Sequence, residues 1–237
     1  MTEFNKILKI SLISIILVQI VSCSPQPSIL AELAPRSLKA VDLEETLSRH
    51  DEVMMAYSLT SYDASNKAIS VVNGGWGVVS IQKGEQLDLQ KASSIKAQPI
   101  HLELPRNGRI VASLVLIEVD DYNRAKQMLD KVRRIHNIVS GPAALVVTAT
   151  EVLTPLKYVA AGLAASGIGL QLIDHLDDDD LLGQSSIELN EAELRKRKQR
   201  LVHVPAVFSG RNMRDSFEYR LDYDVVLKAM KIRPVRQ

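Results

Sequence analysis

The chain has 237 residues, with 29 Lys and Arg against 28 Asp and Glu, a formal net charge of +1. No global charge draws it to nucleic acid or to anionic lipid, and its length suits one large domain or a domain with an insertion. Aromatic residues are scarce, so the core must rest on Leu, Ile, Val and Ala. The single cysteine, Cys23, excludes an internal disulfide and leaves no thiolate set for zinc.

Lys6 and Lys9 give the chain a basic start, and residues 10–21 are apolar or small apart from Gln19. This stretch has the form of a secretory signal and is too short for a spanning helix, which needs ~20 residues. It ends in Ile20-Val21-Ser22-Cys23, which resembles the lipobox of bacterial lipoproteins. The resemblance implies removal of residues 1–22 as a signal peptide and attachment of lipid, palmitate included, to Cys23. Several acyl chains hold a protein stably on a bilayer where one does not. Ser24 stands where an Asp retains enterobacterial lipoproteins at the inner membrane. The expected location is therefore the cell envelope, on the periplasmic face of the outer membrane. Cleavage takes away Lys6, Lys9 and Glu3, which leaves the mature chain formally neutral.

Residues 24–28, with Pro25 and Pro27, read as an extended tether. Residues 29–50 show mixed helical periodicity, so 23–50 is expected to be a tether and lead-in, and 51–237 the folded domain. From residue 51 the pattern turns to strand. Val53, Met55, Tyr57 and Leu59 alternate with smaller or polar residues, residues 61–67 form a turn, and 68–72 a second strand. Asn73-Gly74-Gly75 reads as a turn into a strand over 76–82. A strand over 99–104 and the turn Arg106-Asn107-Gly108 lead into 109–119, which is apolar on both alternating faces and so predicts a central strand covered on both sides.

Asp121 then caps a predicted helix whose apolar residues are Ala125, Met128, Leu129, Val132 and Ile135. Gly141-Pro142 breaks it, Thr154-Pro155 suits the start of another, and 156–173 is almost wholly apolar or small. Strands return over 202–207 and over 217–227, where Phe217, Tyr219, Leu221, Tyr223, Val225 and Leu227 alternate with charged residues. The expected fold class is mainly β: an antiparallel β-sandwich with an inserted α-helical segment at about 121–174.

Two fragments flank that insertion. Leu116-Ile117-Glu118-Val119-Asp120-Asp121 precedes it, and Asp177-Asp178-Asp179-Asp180-Leu181-Leu182-Gly183 follows it. Joined, they resemble a signature of the calcium- and lipid-binding sandwich called the C-two domain, in which an apolar strand runs into an acidic loop closed by Asp-Asp-aliphatic-aliphatic-Gly. The resemblance implies a calcium site drawing on Asp120, Asp121, Asp178 and Asp180, with Asp63 from another loop, since calcium takes six to eight oxygen ligands. The bland alternative is a solvated acidic turn anchored by two buried leucines, Leu181 and Leu182.

Other constellations are weak. His50, His101, His136, His175 and His203 form no metal-ligand motif in sequence, and no nucleophile elbow or phosphate loop is complete. The expectation is a non-enzyme with no catalytic residue and no cofactor apart from the calcium that the resemblance allows. The basic run Arg195-Lys196-Arg197-Lys198-Gln199-Arg200 follows Glu191 and Glu193 and reads as a solvent-facing, charge-compensated helix end or loop, the alternative being contact with anionic lipid headgroups or an acidic partner. The expected function is a lipid-anchored binding or scaffolding protein whose partners are the membrane, through Cys23, and another envelope protein, with no nucleic acid. A small sandwich lipoprotein is similar in architecture to the outer-membrane anchor of type VI secretion machines, an envelope-spanning assembly. The alternatives are a calcium-dependent lipid binder, or a membrane-active protein using the apolar helices of 143–173.

Overall fold

The computed structural model describes residues 27–44, 49–91, 96–119, 123, 139–140, 181–212 and 215–229. Two antiparallel five-stranded sheets face each other. In chain order the strands are β1 (Ile29–Asp42), β2 (His50–Tyr62), β3 (Ala68–Gln82), β4 (Gln86–Asp88), β5 (Ile100–Leu104), β6 (Arg109–Glu118), β7 (Val139–Ser140), β8 (Leu181–Asn190), β9 (Leu201–Asn212) and β10 (Asp215–Ala229). One short helix, α1 (Glu191–Arg197), stands between β8 and β9. Sheet A runs β4-β1-β10-β9, with β5 also beside β1, and sheet B runs β7-β3-β2-β6-β8. The protein is a β-sandwich, as the alternating patterns require. Of the inserted segment, Asn123 is helical and Val139–Ser140 is a two-residue strand on β3; the remaining residues of 121–174 lie outside the described ones. Among the described residues no helix is long and apolar enough to cross a membrane.

The first expectation to fall is the helical reading of 29–50. Ile29–Asp42 is a strand paired with β10 along its length, so the sandwich begins at Ile29 rather than at residue 51. The period of two is disguised by a bulge. Ala31 and Leu33 face the core, the register shifts between Pro35 and Ser37, and Leu38 and Ala40 then take up the core side on the opposite parity. A bulge adds one residue and inverts every later side chain.

The second correction is at Asn73-Gly74-Gly75. These residues do not turn; β3 runs straight through them, each paired with β2. Gly74 is there for close approach: a Cβ on it would lie 2.2 Å from Cε2 of the Tyr57 ring. Tyr57 is fully buried and donates its hydroxyl to the Gln98 carbonyl at 2.6 Å. The expected turn over 61–67 does form. Asp63 Oδ1 accepts from Ser65 N at 2.9 Å, Ser65 Oγ at 2.6 Å and Lys67 N at 3.0 Å, an Asx-type closure.

Between the sheets lies a core in which β2 contributes Val53, Met55, Tyr57 and Leu59, β6 contributes Ile110, Ala112, Leu114 and Leu116, and β10 contributes Tyr219, Leu221, Tyr223 and Val225. A polar link crosses it near one end: the Tyr219 hydroxyl donates to Asp51 Oδ2, which also accepts from the Glu44 backbone N–H at 2.8 Å. The alternate residues of β2 and β6 face the other way, and they are buried too. Met54, Ala56, Val111, Val115 and Ile117 are 3% exposed or less. The expectation of a central strand covered on both sides therefore holds for β6, and extends to β2.

α1 crosses from sheet B to sheet A. The Asn190 side chain caps it by accepting from Ala192 N at 3.0 Å, and Lys198 ends it in the left-handed conformation. Glu191–Arg195 and Glu193–Arg197 pair along its surface, so the basic run is the charge-compensated helix end that its composition suggested. Glu191 also accepts from Asn107 N at 3.2 Å, which ties the turn before β6 to the helix.

Candidate functional site on the outer face of sheet A

Sheet A turns its charged residues outward because β10 alternates strictly: the odd positions from 219 to 227 fill the core, and Glu218, Arg220, Asp222, Asp224 and Lys228 face away from it. The register sets their neighbours. β1 places Arg36 and Ser37 beside Asp224 and Asp222, and β9 places His203 opposite Asp224. A five-residue network results. Arg36 Nε donates to Asp224 Oδ2 at 2.7 Å, and Ser37 Oγ donates to Asp222 Oδ2 at 3.0 Å. The His203 ring lies between the two carboxylates, with Nδ1 2.9 Å from Asp224 Oδ1 and Nε2 3.5 Å from Asp222 Oδ1.

A second cluster follows along the same face. Glu32 holds Lys228, and His101 Nδ1 lies 3.3 Å from Glu32 Oε2. The two anchoring carboxylates, Glu32 and Asp224, are each only 14% exposed, whereas the cations around them reach solvent. Beside the first cluster a groove of about 640 Å³ is lined by Arg36, Ser37, Gln86, Asp88, Gln90 and Lys91. The backbone N–H of Gln90, and Lys91 next to it, hold the Asp88 carboxyl below its usual range. Asp42 is lowered too, chiefly by its hydrogen bond to Lys83.

This arrangement can exchange ion pairs with a charged partner. Ser37 gives its hydroxyl proton to a carboxylate rather than to a ring nitrogen, so the network is one of ion pairs rather than a nucleophile with a base. Among the described residues no group of three or more His, Cys, Asp or Glu is placed to hold a metal ion.

Of the residues singled out from sequence, Cys23, Asp120, Asp121, Asp178 and Asp180 lie outside the described residues, as do the apolar helices expected over 143–173. Asp63 spends its carboxylate inside its own turn, which lowers its pKa, first through Ser65 and then through Lys67. Leu182 is 2% exposed and enters β8 as expected, but Leu181 is only half-buried, so one leucine rather than two anchors the chain there. Gly183 lies flat against Phe208, whose ring a Cβ would meet at 2.1 Å.

The outer network was missed from sequence although half of it was visible. The wet face of β10 shows in its alternation. Its partners, Arg36 on β1 and His203 on β9, have no sequence relation to it; Arg36 and Asp224 are 188 positions apart. No protein-family model matches the chain, and no curated protein and no solved structure shows a significant match to it.

Proposed function

We propose that this chain is a lipid-anchored protein of the bacterial envelope, on the periplasmic face of the outer membrane, that binds or scaffolds another envelope protein. The observation that carries the reading is Ile20-Val21-Ser22-Cys23 at the end of a basic and then apolar leader. The anchor fixes the protein at a surface, and the charged outer face of sheet A supplies a docking surface of mixed sign. Paired charges of this kind give orientation and specificity more than raw affinity. An anchor subunit of an envelope-spanning assembly is the finer form of this reading.

The test is metabolic labelling. The wild-type chain should take up labelled palmitate and mature to a shorter form. Cys23→Ser should do neither, and a variant that still labels and matures would refute the anchor.

A second reading, a calcium-dependent lipid binder, draws support from register. Ile117 and Leu181 are paired across β6 and β8, so the strands that the two acidic fragments flank are neighbours in sheet B. Calcium titration decides it: a rise of several degrees in the melting temperature of the wild type, lost in Asp178→Asn with Asp180→Asn, favours the metal; no shift removes it.

A further inference from the structure

Sheet A ends at β4 and β9, and sheet B at β7 and β8. β4 has three residues and β7 two, so β3 beyond Val71 is an edge among the described strands, and the long edges at the other ends of the two sheets are β8 and β9. Both lie on one flank of the sandwich, where Gly183 meets Phe208 and the Ser185 and Tyr223 hydroxyls are 3.0 Å apart.

The two edges differ in backbone chemistry. Leu227 N donates to the Arg200 carbonyl at 2.8 Å, which makes Leu201–Val226 a non-hydrogen-bonded pair. By alternation Pro205–Asp222 is another, so the N–H that Pro205 lacks is one that would point out of the sheet. β9 is thus blocked midway, a common protection for an edge. On β8, Glu191 N donates to the Gly108 carbonyl at 3.0 Å, so Asn190–Arg109 is non-hydrogen-bonded. Alternation then turns the N–H and C=O of Glu188 and Ser186 outward, and no proline interrupts β8.

The opposite sheet is uncovered at the same place. Val202, Val204 and Ala206 of β9 face inward, yet they are only half-buried, because among the described strands sheet B stops at β8. Ile187, Leu189, Leu194 and Val202 form the floor of a groove of about 190 Å³ there, with Glu188, Glu193 and Arg197 on its rim. Glu188 pairs with Arg109 and Glu193 with Arg197, yet the two carboxylates are 56% and 68% exposed, so a basic neighbour can share them.

We propose that the open edge of β8 takes an extended peptide segment of a partner protein as a sixth strand of sheet B. Its aliphatic residues would lie over Val202, Val204 and Ala206, and a basic residue beside Glu188. Main-chain pairing gives such a strand its affinity and alternate side chains its specificity. A second copy offers no complement: β8 itself carries only the acidic Glu188, and β9 is blocked at Pro205. The inference gives the binding reading a partner class but does not depend on Cys23, so lipid labelling and the following measurement fail separately.

The probe is the capped peptide Thr-Val-Lys-Val-Thr-Val, added up to about 1 mM to the full chain in detergent micelles, with amide hydrogen exchange as the readout. Exchange at the Ser186 and Glu188 amides should slow by about tenfold or more. A peptide N-methylated on alternate residues should have no effect. Ser186→Pro removes one outward donor and leaves the β6 pairing intact, so it should abolish protection with little change in melting temperature. Glu188→Lys should weaken this probe and favour one with Glu in place of Lys. Equal protection by the N-methylated peptide would overturn the proposal. So would slow exchange at both amides without peptide, which would mean this chain fills its own edge, or protection that grows with protein concentration, which would mean a second copy does.

Discussion

The outer faces of the two sheets are built from the same kind of strand and meet opposite fates. Sheet A presents Glu32, Arg36, Asp222, Asp224 and His203, which are paired across strands, and Arg220, which pairs with Glu218 along β10. The outer side of sheet B is buried and mostly apolar, through Met54, Ala56, Val71, Val111, Val115 and Ile117. Across its middle runs a polar row on three adjacent strands, Asn73–Ser58–Ser113, each 0–1% exposed. The side-chain polar atoms of these three residues have no hydrogen-bond partner among the described residues. A charge in the first face costs little because solvent and partners share it, whereas a hydroxyl in the second carries a full desolvation penalty.

The sharpest test of that contrast is one charge on each face. Val115→Asp places an unpaired carboxylate at a fully buried site and should destabilise the protein by about 4 kcal/mol or more. Val207→Asp, at a residue 62% exposed on sheet A, should stay within about 0.5 kcal/mol. Urea midpoints for the two variants decide it, and similar losses would erase the distinction between the faces.

The Tyr219–Asp51 bond holds the two sheets together and gives the next effect. Tyr219→Phe leaves a buried carboxylate without one of its donors and should cost about 1–3 kcal/mol. Burial, and then the Asp51 carboxylate, raise the Tyr219 phenol above its ordinary 10.0. The stability this provides is fully present below pH 10 and is lost as pH rises beyond it, because the unfolded tyrosine ionises first. Alkaline denaturation should therefore be steeper in the wild type than in Tyr219→Phe.

The polar row gives a smaller effect of unusual sign. Ser113→Ala removes a buried hydroxyl that has no partner, and should be neutral or stabilising by up to about 1 kcal/mol. A clear loss of stability in thermal melts would mean that the hydroxyl is satisfied. Smallest is Asp224→Asn on sheet A. Surface ion pairs are worth about 0–1 kcal/mol, so its melting point should barely move, while the salt dependence of stability should weaken as Arg36 and His203 lose their shared carboxylate.

Sequence legibility followed how locally each element is determined. β10 was plain because its alternation is unbroken from Phe217 to Leu227. β6 was plain because an apolar run bounded by a turn has few other readings. β1 was hidden by its bulge at Pro35, which splits one strand into two half-patterns of opposite parity. Gly74 misled because a glycine that makes room for a ring looks in sequence like a glycine that makes a turn. The polar row was out of reach: Ser58, Asn73 and Ser113 are ordinary strand residues until two registers align them.

By itself the sequence determined the strand-rich class, the half-buried β10, the two-sided β6 and the charge-compensated character of the run at 191–200. Each depends on residues within a few positions of one another, where periodicity, capping and turn chemistry act. Only the tertiary structure decided that β1 lies beside β10, that Arg36 and His203 share Asp224, that Tyr219 reaches Asp51, and that among the described strands β8 is left as an edge while Pro205 interrupts β9. Those are matters of register between strands far apart in the chain, Arg36 and Asp224 being 188 positions apart, and register is set by how whole faces bury against each other rather than by any short run of residues.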